Sequence, residues 1–336
     1  MSTSGFRRSS DSAGLANREA EGDSSDGPRR LLLAASTGGH LAQLVKLAPT
    51  LNASDDSLWV TFDSDQSRSL LAGKDTLFVP YIAPRDWRGV LSAYGTISKE
   101  LRREDRTFEC AFSTGAALAL AALPAARRNG VKACYIESVS RTEGPSVSGR
   151  ILEYSRLVEL RTQHSSWAAG RWKYQGSVMN AFVPSVGVQE TSTPRIFVTL
   201  GTIKPYRFDG MVDAIMATGM AGSSTTWQLG CTHRDGLPGR VTETMPDEEF
   251  AENIANSDVI ITHSGVGTIL KILEMGKHPI VIPRRSHRGE HVDDHQSQIA
   301  ELVNRIGVAT ATEVDQLTPD MIVTASGRRV APRETS

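Results

Sequence analysis

Between Leu31 and Asn304 short apolar runs alternate with amphipathic helical patterns, and that alternation leaves few folds open. A strand that is apolar at every position is buried on both faces. A helix between two such strands supplies the crossover that a parallel pair needs. The first half offers strands at Leu31–Ala35, Leu58–Phe62, Leu77–Val79, Cys110–Phe112 and Ala133–Ile136. Helical periodicity at Leu41–Leu51, Trp87–Arg103 and Ala116–Arg128 lies between them. "FVPSVGVQETSTP", Phe182 to Pro194, then interrupts the pattern with Pro, Gly, Ser and Thr, and reads as a linker. The alternation restarts at Ile196–Leu200 and runs through Trp227–Leu229, Val259–Thr262 and Ile280–Ile282. The expectation is two doubly wound α/β domains facing a cleft, at 29–183 and 195–316, joined by a linker at 184–194. Residues 317–336 read as a partly disordered C-terminal segment.

Charge removes one class of function. Lys and Arg number 37 against 38 Asp and Glu, so no overall basic field argues for nucleic acid. Residues 1–28 are Ser, Asp, Glu, Gly and Arg with too little apolar surface to offset ordering entropy, which reads as a disordered polar tail. No apolar core follows Arg7-Arg8 as a signal peptide requires, and no run of about 18 apolar residues occurs. A cytoplasmic protein is expected, held at most to the inner face of the cell membrane. Cys110, Cys134 and Cys231 fit no metal-ligand spacing and read as thiols of a reducing compartment.

Ligands of open parallel sheets bind beyond the carboxyl ends of the strands, and four loops there carry chemistry. "STGGH" follows the first strand. Gly38 and Gly39 allow close backbone approach, and His40 stands where the helix begins. An imidazole there can take a proton near neutral pH, or simply cap an ordinary turn; the stretch alone leaves both open. "THSGVGTILKILEMGKHPIVIP" ends a buried strand at His263 and opens a helix through Ser264, Gly265, Gly267 and Thr268. Helix N–H groups and hydroxyls in that spacing suit a diphosphate. Leu270 stands where a dinucleotide fingerprint needs a third glycine, which disfavours NAD. Glu274, two turns on, reads as a ribose ligand or as a solvated helix residue. "TLGT" adds Gly201 and Thr202 after the first strand of the second unit. "RRSHRGEHVDDHQSQ" carries histidines at 287, 291 and 295, but Val292 replaces the glutamate of a zincin motif and no third ligand is identifiable. Polar groups for a sugar, at His295 and Gln296, are the preferred reading.

With these loops in place the chain resembles GT-B glycosyltransferases of the family 28 type, whose fold is two Rossmann-like domains facing a cleft. Within that type it is similar to a fusion of the acceptor-side and donor-side subunits of the dolichol-diphosphate N-acetylglucosaminyltransferase. Bacterial exopolysaccharide and capsule transferases are similar too. "STGGH", "FSTGAALALA", "YIESVSR" and "YQG" echo the acceptor module; "VTLGT", "ITHSGVGTILKILEMGKHPIVIP" and "GEHVDDHQSQIA" echo the donor module. The resemblance implies a donor site of Gly201, Thr202, His263, Ser264, Gly265, Gly267, Thr268, Glu274, His295 and Gln296, with Glu274 on the uridine ribose. It implies an acceptor side of Gly38, Gly39, Ser113, Gly115 and Arg141, and a base at His40 or Glu137. The implied activity is inverting transfer from a UDP-sugar to a lipid-linked saccharide, with no metal or other cofactor and with peripheral membrane contact. A UDP-sugar epimerase and a non-catalytic sugar-nucleotide-binding partner are the alternatives. A polar tail replaces the family's membrane helix, and "RLVELRTQH" from Arg156 replaces a more apolar run, so acceptor identity does not carry over.

A basic-edged stripe on the third candidate helix, Trp87, Val90, Leu91, Tyr94, Ile97 and Leu101, fits either a lipid surface or the cover of the first sheet.

Overall fold

A computed structural model describes residues 27–83, 85–202, 205–291 and 294–333. The tail expected at 1–28 lies outside it except for Gly27 and Pro28. The first half is a seven-stranded parallel sheet built from β1 (Leu31–Ala34), β2 (Leu58–Phe62), β3 (Thr76–Val79), β4 (Cys110–Ser113), β5 (Lys132–Ile136), β6 (Glu159–Thr162) and β7 (Trp172–Tyr174). Their order is β3-β2-β1-β4-β5-β6-β7. Helices α1 (Gly39–Leu47), α2 (Asp65–Leu70), α3 (Trp87–Leu101), α4 (Ala117–Arg128) and α5 (Val147–Ser155) connect them.

After β8 (Phe182–Ser185) the second sheet takes β9 (Ile196–Thr199), β10 (Thr226–Gln228), β11 (Arg240–Thr242), β12 (Val259–His263), β13 (Ile280–Ile282) and β14 (Thr310–Ala311). Its order is β11-β10-β9-β12-β13-β14, again parallel. Its helices are α6 (Asp209–Ala217), α7 (Asp247–Asn256), α8 (Val266–Glu274), α9 (His295–Arg305) and α10 (Pro319–Gly327), before a final strand β15 (Arg329–Pro332). Both sheets are doubly wound. The winding reverses between β1 and β4 and between β9 and β12, so crevices open at those carboxyl ends.

Three local differences from the sequence reading have physical causes. The helix expected to reach Leu51 stops at Leu47 and continues as a 3₁₀ turn, because Pro49 cannot donate into the α-helical ladder. The C-terminal segment contains α10 and β15. Thr318 caps α10, Ile322 and Ala325 enter the second core, and β15 pairs antiparallel with β8, inside the stretch read as a linker. On α3 the stripe divides: Val90, Ile97 and Leu101 are buried against the first sheet, while Trp87 and Leu91 remain exposed.

The two halves share a core. Leu41, Leu44 and Leu47 of α1 are buried in one cluster with Val266, Ile269, Leu270 and Leu273 of α8. Each such leucine contributes about 1.5–3 kcal/mol relative to exposure. Among the described residues no helix is long and apolar enough to cross a membrane.

Candidate functional site

The first turn of α1 meets the first turn of α8. A Cβ on Gly39 would lie 3.2 Å from Cβ of Val266 and 3.5 Å from the nitrogen of Gly267, so the two glycine loops touch backbone to backbone. Gly38, at φ +85°, caps α1 and receives Oε1 of Gln66 on its N–H at 2.6 Å.

His40 follows, with Nδ1 2.8 Å from the carbonyl oxygen of Thr114. A carbonyl only accepts, so Nδ1 carries the proton and Nε2 keeps its lone pair. Thr114 returns a bond through Oγ1 to the carbonyl of His40 at 2.7 Å. Burial lowers the imidazole pKa, helped by the charge of Arg141 and opposed by the Thr114 bond. The ring fits because position 115 is glycine: at φ +126° a Cβ would stand 2.9 Å from Cε1 of His40. Ser113 is fully buried and accepts the N–H of Gly115 at 3.3 Å, which makes it a brace of the turn.

Glu137 does not present a base to the cleft. It is 1% exposed, and its carboxylate accepts from Tyr135 Oη at 3.0 Å, Ser138 N at 3.1 Å and Ser146 N at 2.8 Å. Burial raises its pKa while those bonds oppose the rise. The carboxylate fastens the 137–146 loop to the start of α5. Trp167 Nε1, from outside that loop, donates to the carbonyl of Arg141 within it at 2.9 Å. Thr142 N donates to Oε1 of Gln298 at 3.0 Å, which ties the loop to α9.

On the other side the ring of His263 separates two loops. A Cβ on Gly201, at φ +76°, would fall 2.6 Å from it, and one on Gly265 would fall 2.2 Å away. Both glycines are therefore small because of His263. Burial and the nearby Arg284 push its pKa down to about 3, so it is a neutral wedge and carries no charge for a phosphate. Ser264 is 2% exposed and its hydroxyl has no hydrogen-bond partner among the described residues, directly before the N-terminus of α8. Gly267 and Thr268 lie in the first turn of α8, and Thr202 follows Gly201 in the facing loop. A cavity of about 450 Å³ opens beside that loop, lined by Pro205, Arg207, Asp209, Gly210, Arg288, Gly289 and Glu290.

Glu274 is not brought to this place. It closes α8, about 12 Å of helix rise beyond Val266. Its carboxylate is exposed and pairs with Lys46 Nζ at 3.1 Å, while Lys46 also sits 5.1 Å over the ring of Phe182. Gln296 accepts the N–H of Arg284 at 3.0 Å, so its oxygen holds the 284 loop. His295 is the first residue of α9, and its side chain lies outside the described atoms. Among the described residues no group of three or more His, Cys, Asp or Glu is placed to hold a metal ion.

Sequence reasoning passed over Gln43, which is 1% exposed on the apolar face of α1. Its amide donates to the carbonyl of Gly39 and to Ser138 Oγ, and its oxygen accepts from Val139 N and Gln163 Nε2. A polar residue in the stripe of Leu44 and Leu47 was the available signal.

Residues 239–324 match the glycosyltransferase family 28 C-terminal domain. A stretch of 69 residues is 30% identical to the UDP-N-acetylglucosamine transferase subunit ALG13 of Yarrowia lipolytica, covering 20% of this chain and 33% of that subunit. The chain spans about a third of the length of the curated relatives it matches. Among solved structures, MurG of Acinetobacter baumannii superposes with a TM-score of 0.54 at 16% identity, over 88% of this chain and 89% of that one. The UDP-GlcNAc 2-epimerase of Methanocaldococcus jannaschii gives 0.51 at 11%, over 88% and 91%. The fold is GT-B. Within that fold, residues 239–324 are the part that matches the family 28 C-terminal domain.

Proposed function

We propose that this protein transfers a sugar, with inversion, from a UDP-sugar to an acceptor hydroxyl. The observation that carries the reading is His40. Its Nδ1 is committed to the Thr114 carbonyl, and its turn abuts the first turn of α8. The acceptor oxygen attacks the anomeric carbon and its proton passes to Nε2 of His40. The bond from that carbon to the diphosphate oxygen breaks, and its electron pair leaves on UDP. The N-terminus of α8 and the unpartnered Ser264 hydroxyl meet the charge that develops there.

The acceptor we propose is a saccharide carried on lipid in cell-surface polysaccharide or glycolipid assembly, reached from the cytoplasmic face of the membrane. Epimerisation needs no acceptor, so demand for one separates the two chemistries. The test is UDP release from a panel of UDP-sugars, with and without a lipid extract and with and without EDTA. Acceptor-dependent, chelator-resistant release is expected. Release that ignores the extract, or that EDTA abolishes, overturns the acceptor or the metal-free part respectively.

A further inference from the structure

Arg284 follows β13 at the carboxyl edge of the second sheet and is among the largest fully buried side chains, 1% exposed. Among the described residues, every hydrogen-bond partner of its guanidinium is a backbone carbonyl. Nη1 donates to Tyr206, Arg207 and Glu290 at 2.9, 3.2 and 3.0 Å, and Nη2 donates to Leu200 at 2.6 Å. Nε has no partner among the described residues, and the guanidinium carbon lies 4.9 Å over the ring of Phe208. The neighbouring Arg285 has its own carboxylate in Glu313, and Glu290 spends Oε2 on the N–H of Arg285.

The nearby Glu290 carboxylate acts on this cation through space but does not bond it, and a buried cation desolvated in this way gains from a further opposite charge. Its position says where that charge comes from. Leu200 directly precedes Gly201, and the guanidinium holds the carbonyls of Leu200, Tyr206 and Arg207 together. In a planar trans peptide the N–H points away from the C=O. Drawing the Leu200 carbonyl inward therefore turns the Gly201 N–H outward, so cation and amide dipole push positive potential in one direction.

We infer that Arg284 is a positioning residue for the donor's diphosphate: a buried cation that acts through the Gly201 loop without touching the ligand. The inference rests on the UDP-sugar reading above. It predicts that charge at 284 distinguishes a nucleoside diphosphate from the bare nucleoside.

The test is calorimetric binding of UDP, UMP and uridine to the wild type, Arg284→Lys and Arg284→Met. Removing the charge should weaken UDP about tenfold or more, UMP less, and uridine little. Lys keeps the charge and loses most of the carbonyl bonds, so its UDP-over-uridine preference should stay near that of the wild type. Equal weakening of all three ligands in Arg284→Met, or a Lys variant that loses the preference as Met does, overturns the charge and leaves only a loop support.

If the Met variant does not fold, pH decides with the Lys variant alone. A buried lysine deprotonates well below arginine, so the UDP-over-uridine preference of Arg284→Lys should fall between about pH 7 and 9 while that of the wild type holds. A flat profile in that variant defeats the inference. Failure of the wild type to bind UDP at all defeats instead the donor assignment on which it rests.

Discussion

Burial lowers the pKa of the His40 imidazole against the bond to the Thr114 carbonyl, which favours the neutral ring, and that balance sets how turnover should follow pH. The base form is the neutral one. Activity should be full above the folded pKa and be lost as pH falls through it, with the acidic limb below the ordinary value of about 6.5. His40→Ala should lower kcat by about 10² to 10⁴ and remove that limb, with UDP affinity unchanged because the donor loops belong to the other sheet. His40→Asn should be as impaired, since it keeps the shape without the basicity. Steady-state rates from pH 5 to 8, with UDP titrations alongside, are the measurement; an active Asn variant would make His40 a cap of the helix. Glu274 carries an opposite expectation. Its pair with Lys46 is exposed, so Glu274→Ala should cost about 0–1 kcal/mol of stability and leave UDP affinity within about twofold. If UDP weakens more than its 2′-deoxy analogue does, the ribose role implied by the family resemblance returns.

At the scale of the elements, the site is a meeting of two helix starts and two strand-end turns, and glycine sets the clearances. Gly115 after β4 lets the turn reach φ +126° beneath the His40 ring. Gly115→Ala adds a Cβ 2.9 Å from Cε1 in a backbone conformation that L side chains rarely adopt. The variant should fold, with a melting temperature a few degrees lower for a loss of about 1–2 kcal/mol. Its kcat should fall about tenfold or more because the base is displaced, while KM for the donor stays. A rise in donor KM with kcat intact would mean that the turn serves the donor and not the base.

For the whole molecule, buried histidines tie stability to pH: burial lowers His40 and His164, and likewise His263 and His278. The folded pKa of His263 is about 3, lowered first by burial, and that of His278 is about 4 for the same reason, with His278 Nε2 3.0 Å from Thr310 Oγ1. Unfolding returns both to about 6.5, so between the folded and unfolded values the unfolded chain binds more protons. Stability is therefore complete above about pH 6.5 and declines as pH falls toward 4. Thermal melts between pH 7 and 5 should show a falling melting temperature, and His278→Gln should flatten the slope; an unchanging temperature would contradict the burial of these rings.

What the sequence determined by itself is what depends on local pattern. Apolar runs as short as Ile280–Ile282 declare strands buried on both faces, and the loops "STGGH" and "HSGVG" declare carboxyl-edge turns that open helices. Strands without such runs stayed hidden: β7 and β11 lie at sheet edges, and Glu159 to Thr162 of β6 alternates charge with apolar side chains. Tertiary structure alone decided what each chemically suggestive side chain faces. Glu137 and Glu274 are both carboxylates in suggestive motifs, yet one is sealed by three donors and the other is drawn to Lys46 at the far end of α8. His40 and His263 both end a glycine-bordered strand turn, yet Thr114 gives one an orientation and burial between two loops silences the other. The physical reason is that a side chain's protonation and availability depend on desolvation and on partners distant in the chain, here 74 residues away for His40 and Thr114, and these exist only once the sheets have packed.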